Sequence, residues 1–151
     1  MTNYTSWGSV DEASITAFEQ EIGFVLPSDY RDFLKDNNGC RFERQVFFVK
    51  DLDQDVMLHV FYGVTNSDSR SLTLRYWLNE YGDEIEDKTI VFGADQGGGL
   101  LLYITAGEDT GVYYWDHAHF FPQSSEEEGN TYFLANSFAD FCNSVMAYTP
   151  A

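Results

Sequence analysis

Residues 9–23 carry a first apolar stripe. Ile15, Phe18 and Ile22 recur three and four positions apart, the spacing that lines one side of an α-helix. Ser9 and Glu12 have the spacing of a capping box, and Gly23 supplies a left-handed stop. A second stripe follows in LPSDYRDFLKDNNG, where Tyr30, Phe33 and Leu34 fall at i, i+3 and i+4. Pro27 stiffens the entry, Ser28 or Asp29 can cap, and Asn38-Gly39 ends the helix.

From Gln45 the period shortens. QVFFV (45–49) and VMLHVFYG (56–63) read as strands, with DLDQD between them as a turn or edge. TNSDS (65–69) is a polar loop. SLTLRYWLNEYG (71–82) predicts a third helix with Ser69 or Ser71 as cap and Gly82 as stop. KTIVFG (88–93) predicts a short buried strand, and GLLLYIT (99–105) and GVYYWD (111–116) predict two more, joined through AGEDTG as a hairpin. SSEEEGN (124–130) reads as a solvated loop. Phe138, Phe141, Cys142, Val145 and Met146 form a last amphipathic stripe, capped by Asn136 or Ser137. Hairpin-linked strands with helices gathered around them predict an α+β fold, with a mainly antiparallel central sheet flanked by helices. At 151 residues, with no repeat and no linker, one domain is expected over 1–151.

Charge alters this picture more than any other global property. Twenty-five acids against eight bases give a net charge of −17. Such a surface repels phosphate backbones and anionic lipid, and it attracts basic proteins and speeds their docking. Neither a nucleic acid nor a membrane is therefore an expected partner. MTNYTSWGSV lacks the basic and apolar regions of a secretory signal, and only Cys40 and Cys142 could pair, so a reducing cytoplasmic setting is expected.

Candidate chemistry is sparse. GADQGGGLLLYI (93–104) holds four glycines beside Asp95, yet they run into a strand and not a helix. No Lys or Ser/Thr stands where a phosphate loop needs one, so the segment reads as a turn between neighbouring strands. Asp116, His117 and His119 form a D-H-x-H run that could hold a metal if joined by a further ligand, but the only other histidine is His59. More often such a run ends a strand and hydrogen-bonds locally. Cys142 lies on the apolar stripe of the last helix, while Cys40 follows a helix stop beside Arg41, which could lower its pKa. No catalytic group, cofactor or metal is expected.

The acidic clusters remain: Asp51, Asp53 and Asp55; Asp83, Glu84, Glu86 and Asp87; Glu126, Glu127 and Glu128. Like charges this close repel within a Debye length of about 8 Å, so they persist when solvent or a cationic partner neutralises them. Aromatic residues stand beside them: Tyr76, Trp77 and Tyr81 before one, and Tyr113, Tyr114 and Trp115 in GVYYWD. Strand alternation puts Val112 and Tyr114 on one face and Tyr113 and Trp115 on the other. Exposed aromatics ringed by charge suit a protein interface.

Taken together, ITAFEQEIGFVLPSDYRDFLKDNNG, FYG (61–63), IVFGADQGGGLLLYI (90–104), GVYYWDH (111–117) and NSFADFCNSV (136–145) resemble the SUKH superfamily in their order, over roughly residues 9 to 146. The resemblance implies an α+β fold without catalytic activity. It implies a cytoplasmic bacterial immunity protein that binds and neutralises a cognate toxin, or alternatively a scaffold or regulatory module in cell-wall synthesis or secretion control. With the charge, it points to a basic, nuclease-type toxin domain. Asp83, Glu84, Glu86, Asp87, Asp95, Trp115 and Asp116 are the expected contact residues, with oligomeric state left open.

Overall fold

The computed structural model describes residues 4–116 and 131–147. Its elements run β1 (Tyr4–Ser6), α1 (Glu12–Ile22), α2 (Ser28–Asn37), β2 (Cys40–Phe42), β3 (Val46–Val49), β4 (Gln54–Phe61), α3 (Leu74–Tyr81), β5 (Thr89–Asp95), β6 (Leu100–Ile104), β7 (Gly111–Trp115), β8 (Thr131–Ala135) and α4 (Phe138–Ala147). One sheet has the order β1-β2-β4-β5-β6-β7-β8, with β3 beside the first half of β4. Every pairing between these strands is antiparallel. The architecture is the α+β one that the periodicity predicts.

The first helix starts differently from its expected form. Asp11, not Ser9, is the cap: its side chain accepts the Ser14 amide at 2.8 Å. Asp11 directly precedes the first helical residue, whereas Ser9 lies too far outside to reach the orphan amides. Hydrogen bonding from the Ser14 side chain, and then from its amide, holds the Asp11 carboxyl below its usual pKa. Glu12 turns away from the cap and reaches Arg31 of α2 at 2.7 Å. The end of α1 is as expected, with Gly23 left-handed. The third helix starts at Leu74, because residues 70–72 form a separate tight turn capped by Ser69, and Thr73 caps the helix itself. The helix ends at Tyr81 with Gly82 as its cap, as expected, but Gly82 is right-handed and opens one further tight turn, Gly82–Glu84. Three strands, β1, β2 and β8, were not anticipated.

Phe61, the last residue of β4, and Tyr62 just after it show how the sheet is covered on both sides. Phe61 points into an aromatic cluster with Phe92, Phe138 and Phe33, at ring separations of 5.2, 5.6 and 5.7 Å. Tyr30 closes that cluster, edge-on to Phe138 at 5.0 Å. The next residue, Tyr62, faces the other way and stacks on Trp77 of α3 at 5.3 Å. Thus α2 and α4 cover one face and α3 the other, as alternation of side chains requires. A buried Phe contributes about 1.5–3 kcal/mol by leaving water, so each ring of this cluster adds to stability.

Two polar joints fix the helices to the sheet. Pro27, not Ser28 or Asp29, occupies the cap position of α2; Asp29 Oδ1 accepts the Tyr30 amide at 2.8 Å and the Tyr103 hydroxyl of β6 at 3.3 Å, and its Oδ2 accepts the Ala139 amide in the first turn of α4 at 2.8 Å. Asn38, left-handed at the end of α2, accepts the Val64 amide on its Oδ1 at 2.8 Å and donates to the Thr65 carbonyl. Gly63 lies so close to the Asn38 carbonyl that no side chain fits between them.

The glycine-rich segment is a turn between β5 and β6. Gly98 takes the left-handed conformation at φ 95°, and a Cβ on Gly99 would lie 2.5 Å from the Tyr114 hydroxyl. This is the structural role that its run into a strand predicts.

Candidate functional site

After α3 the chain must return to β5, and residues 82–88 make that return at the surface. Ile85 is half-buried and pins the segment to the body, so its neighbours Asp83, Glu84, Glu86 and Asp87 stand exposed. The segment forms a ridge with a hollow on each side. One hollow, of about 280 Å³, lies toward α1 and α3 and includes Glu21, Arg75 and Leu78. The other, of about 260 Å³, is lined by Glu84, Ile85 and Glu86 on the ridge and by Leu102, Ile104 and Trp115 on the sheet.

Strand register explains the second hollow. Leu100 pairs with Trp115, Leu102 with Tyr113 and Ile104 with Gly111, so Leu102, Ile104, Tyr113 and Trp115 share the face that α3 covers only in part. The two pairs lie on opposite faces, as the alternation predicts; Val112 and Tyr114 are the buried pair, and Tyr113 and Trp115 are half-exposed. Trp115 belongs to an aromatic row across the sheet. Its ring meets Tyr81 edge-on at 5.3 Å, Tyr81 stacks on Trp77 at 5.8 Å, and Trp77 stacks on Tyr62. Trp77 is fixed by donating its indole N–H to the Ser71 carbonyl at 2.7 Å. Beyond Trp115, Phe133 is 44% exposed and packs edge-on against Tyr113 at 5.6 Å.

Electrostatics distinguish this side from the helical end. Arg31 and Lys35 pair with Glu12, Arg31 pairs also with Glu19, and Arg75 pairs with Glu21, knitting α1 to α2 and α3. No ion pair among the described residues involves Asp83, Glu84, Glu86 or Asp87. Residues 89–151 contain no Lys or Arg at all. The nearby phenols register the field: Tyr81 and Tyr113 are pushed above their ordinary pKa, chiefly by burial, and further by Glu84 and Glu80 and by Asp109 and Glu86 respectively.

Of the seven expected contact residues, Glu84, Glu86 and Trp115 line one groove, while Asp83 and Asp87 stand exposed beside them on the ridge. Asp95 and Asp116 do not join them at the surface, being 6% and 0% exposed. Asp95 is a clamp inside the β5–β6 turn, accepting the Gly99 amide and the Tyr114 hydroxyl, each at 2.6 Å. A buried acceptor so engaged serves the fold. Sequence reasoning missed Phe133, because TYFLA was not read as a strand; its own alternation, with Tyr132 buried and Phe133 exposed, carries the signal. It also missed Ile85, Leu102 and Ile104, whose meeting depends on the packing of the ridge against β6.

Other chemistry is accounted for. Burial pushes the Cys40 thiol up to about 12 in spite of Arg41, and burial does the same to Cys142. The expectation that Arg41 would activate Cys40 is corrected: Cys40 lies inside β2 with its side chain in the core, and desolvation outweighs a neighbour that faces solvent. Among the described residues no group of three or more His, Cys, Asp and Glu side chains could hold a metal. His117, His119 and the Glu126–Glu128 run lie outside the described residues. No helix among the described residues is long and apolar enough to cross a membrane.

Comparison with known proteins places this architecture. A protein from Bacillus subtilis (strain 168), the SPbeta prophage-derived uncharacterized protein YokK, is 28% identical over 146 residues, spanning 85% of this chain and 70% of its own length. The family model described as SMI1 / KNR4 family (SUKH-1) matches residues 9–144, from just before the cap of α1 into α4. Fold, motif order and this match agree: the chain belongs to the SMI1/KNR4 family (SUKH-1).

Proposed function

We propose that this chain is a cytoplasmic immunity protein that binds a cognate toxin domain with a basic, nucleic-acid-handling cleft and blocks it by direct contact. The observation that carries this reading is the ridge at 83–87. Its carboxylates lack ion-pair partners among the described residues, and it borders a groove floored with apolar and aromatic side chains. Acidic groups set around an aromatic anchor are suited to a cationic protein surface: the charge steers the encounter and the ring supplies short-range hold. Ridge carboxylates would occupy the place of substrate phosphates. Family membership supports a binding role over a catalytic one, and a relative encoded on a prophage fits a gene that travels with conflict systems. A standard interface of about 1,600 Å² would cover ridge, groove and Phe133 together.

Co-expression tests the proposal. Cells producing a candidate toxin domain taken from the neighbouring genes should survive when the chain is present and die when it is absent. Equal killing in both cases would refute it. Recovery of wall-synthesis or secretion components in a pull-down, with no toxin, would favour a regulatory role instead.

A further inference from the structure

We infer that the groove between residues 84–86 and Trp115 is a receptor for a single arginine side chain of the protein partner. This rests on the reading of that partner as a basic protein and names the group it presents. The groove has three chemically distinct parts. Ile85, Leu102 and Ile104 give an apolar lining for an aliphatic stem. Trp115 offers an aromatic surface to a flat cation, and its ring is held by Tyr81 and the stacked row behind it, so little order is lost on binding. Glu84 and Glu86 stand at the wall as acceptors for a forked donor. No Lys or Arg of the chain itself lines the groove.

Arginine fits this combination better than lysine. Guanidinium is planar, weakly hydrated and able to stack while it donates in two directions, whereas ammonium is a compact point charge that keeps its water. The hollow on the other side of the ridge lacks this complementarity, because Arg75 and Lys88 line it and Arg75 already pairs with Glu21.

The test is an NMR titration of the full chain with N-acetyl-arginine amide, with the isosteric citrulline compound as the uncharged control. Shifts should concentrate on the Trp115 indole N–H and the methyls of Ile85, Leu102 and Ile104. Citrulline, and the Glu84→Gln, Glu86→Gln double variant, should each bind about tenfold more weakly. Unchanged resonances elsewhere in that variant would show an intact fold. Shifts spread evenly over Asp51–Asp55 and the ridge, or an equal response to citrulline, would overturn the inference. Toxin protection without arginine settling at Trp115 would remove this receptor and leave the immunity role standing. Arginine binding without protection would do the reverse.

Discussion

Tyr114 donates its hydroxyl to the Asp95 carboxylate at 2.6 Å, across 19 positions of sequence, while the other oxygen of that carboxylate takes the Gly99 amide. One buried acid thereby ties β7 to the β5–β6 turn. Burial and the neighbouring Asp95 and Asp116 charges push the Tyr114 phenol well above its ordinary pKa, so it stays a donor at any pH the protein meets. Tyr114→Phe leaves a buried carboxylate short of a partner and should cost about 1.5–3 kcal/mol, read as a lower urea midpoint. An unchanged midpoint would show that the hydroxyl does not hold the turn.

Gly63 and Asn38 meet main chain to main chain, where neither side can yield. A Cβ at Gly63 would overlap the Asn38 carbonyl and lie 2.7 Å from its Oδ1. Gly63→Ala should therefore destabilise by more than about 3 kcal/mol or prevent folding, measured by circular dichroism through a thermal scan. Gly107→Ala is the control for sequence chemistry. Its Cβ would meet nothing within 4 Å, and at φ 93° it should show only the cost of a left-handed alanine, about 1 kcal/mol.

How much of this was legible beforehand differs by element. The stripes of α1, α2 and α4 are long enough for periodicity to outweigh everything else, and Tyr30, Leu34, Phe138 and Phe141 are core as expected. Cys40–Phe42 is only three residues long and follows a helix stop, so no alternation can establish itself before the strand ends. It is a strand because Tyr4–Ser6 and β4 flank it, and that is tertiary information. For the site, alternation in GVYYWD separated Tyr113 and Trp115 from Val112 and Tyr114 correctly, but which pair faces outward depends on how the helices cover the sheet. Asp95 and Asp116 were counted as surface acids because a solvated carboxylate is the default for the residue type. Their burial depends on partners and packing that residue type alone does not reveal.

Both thiols should be inert in the folded protein. Burial raises Cys40 and Cys142 to about 12, far above neutral pH, so the thiolate that reacts is nearly absent. Ellman's reagent at pH 8 should react slowly with the native chain and rapidly with both thiols after addition of guanidinium. Fast reaction of a thiol in the native state would contradict its place against the core.

Acid should weaken the helical end first. Arg31 and Arg75 hold the Glu12 and Glu21 carboxyls below the ordinary glutamate range, chiefly through hydrogen bonds. The folded state then binds fewer protons than the unfolded chain. The stabilisation is fully present above the ordinary glutamate pKa and fades as pH falls through the lowered folded values. Stability measured from pH 6 down to pH 3 should fall less steeply in Arg75→Gln than in the native sequence. A steeper fall in that variant would reverse the sign of the argument.

The most direct test of the central claim is the association of purified chain with a candidate cognate toxin domain against which it protects cells, followed by stopped-flow at several salt concentrations. The comparison is with a variant carrying Asp83→Asn, Glu84→Gln, Glu86→Gln and Asp87→Asn. The native chain should associate fast at low salt and slow sharply as salt rises. The neutralised variant should associate at least about tenfold more slowly at low salt and show a flatter salt dependence. Identical rates and salt slopes for the two proteins would contradict the account, because the acidic ridge would then have no part in capturing the partner.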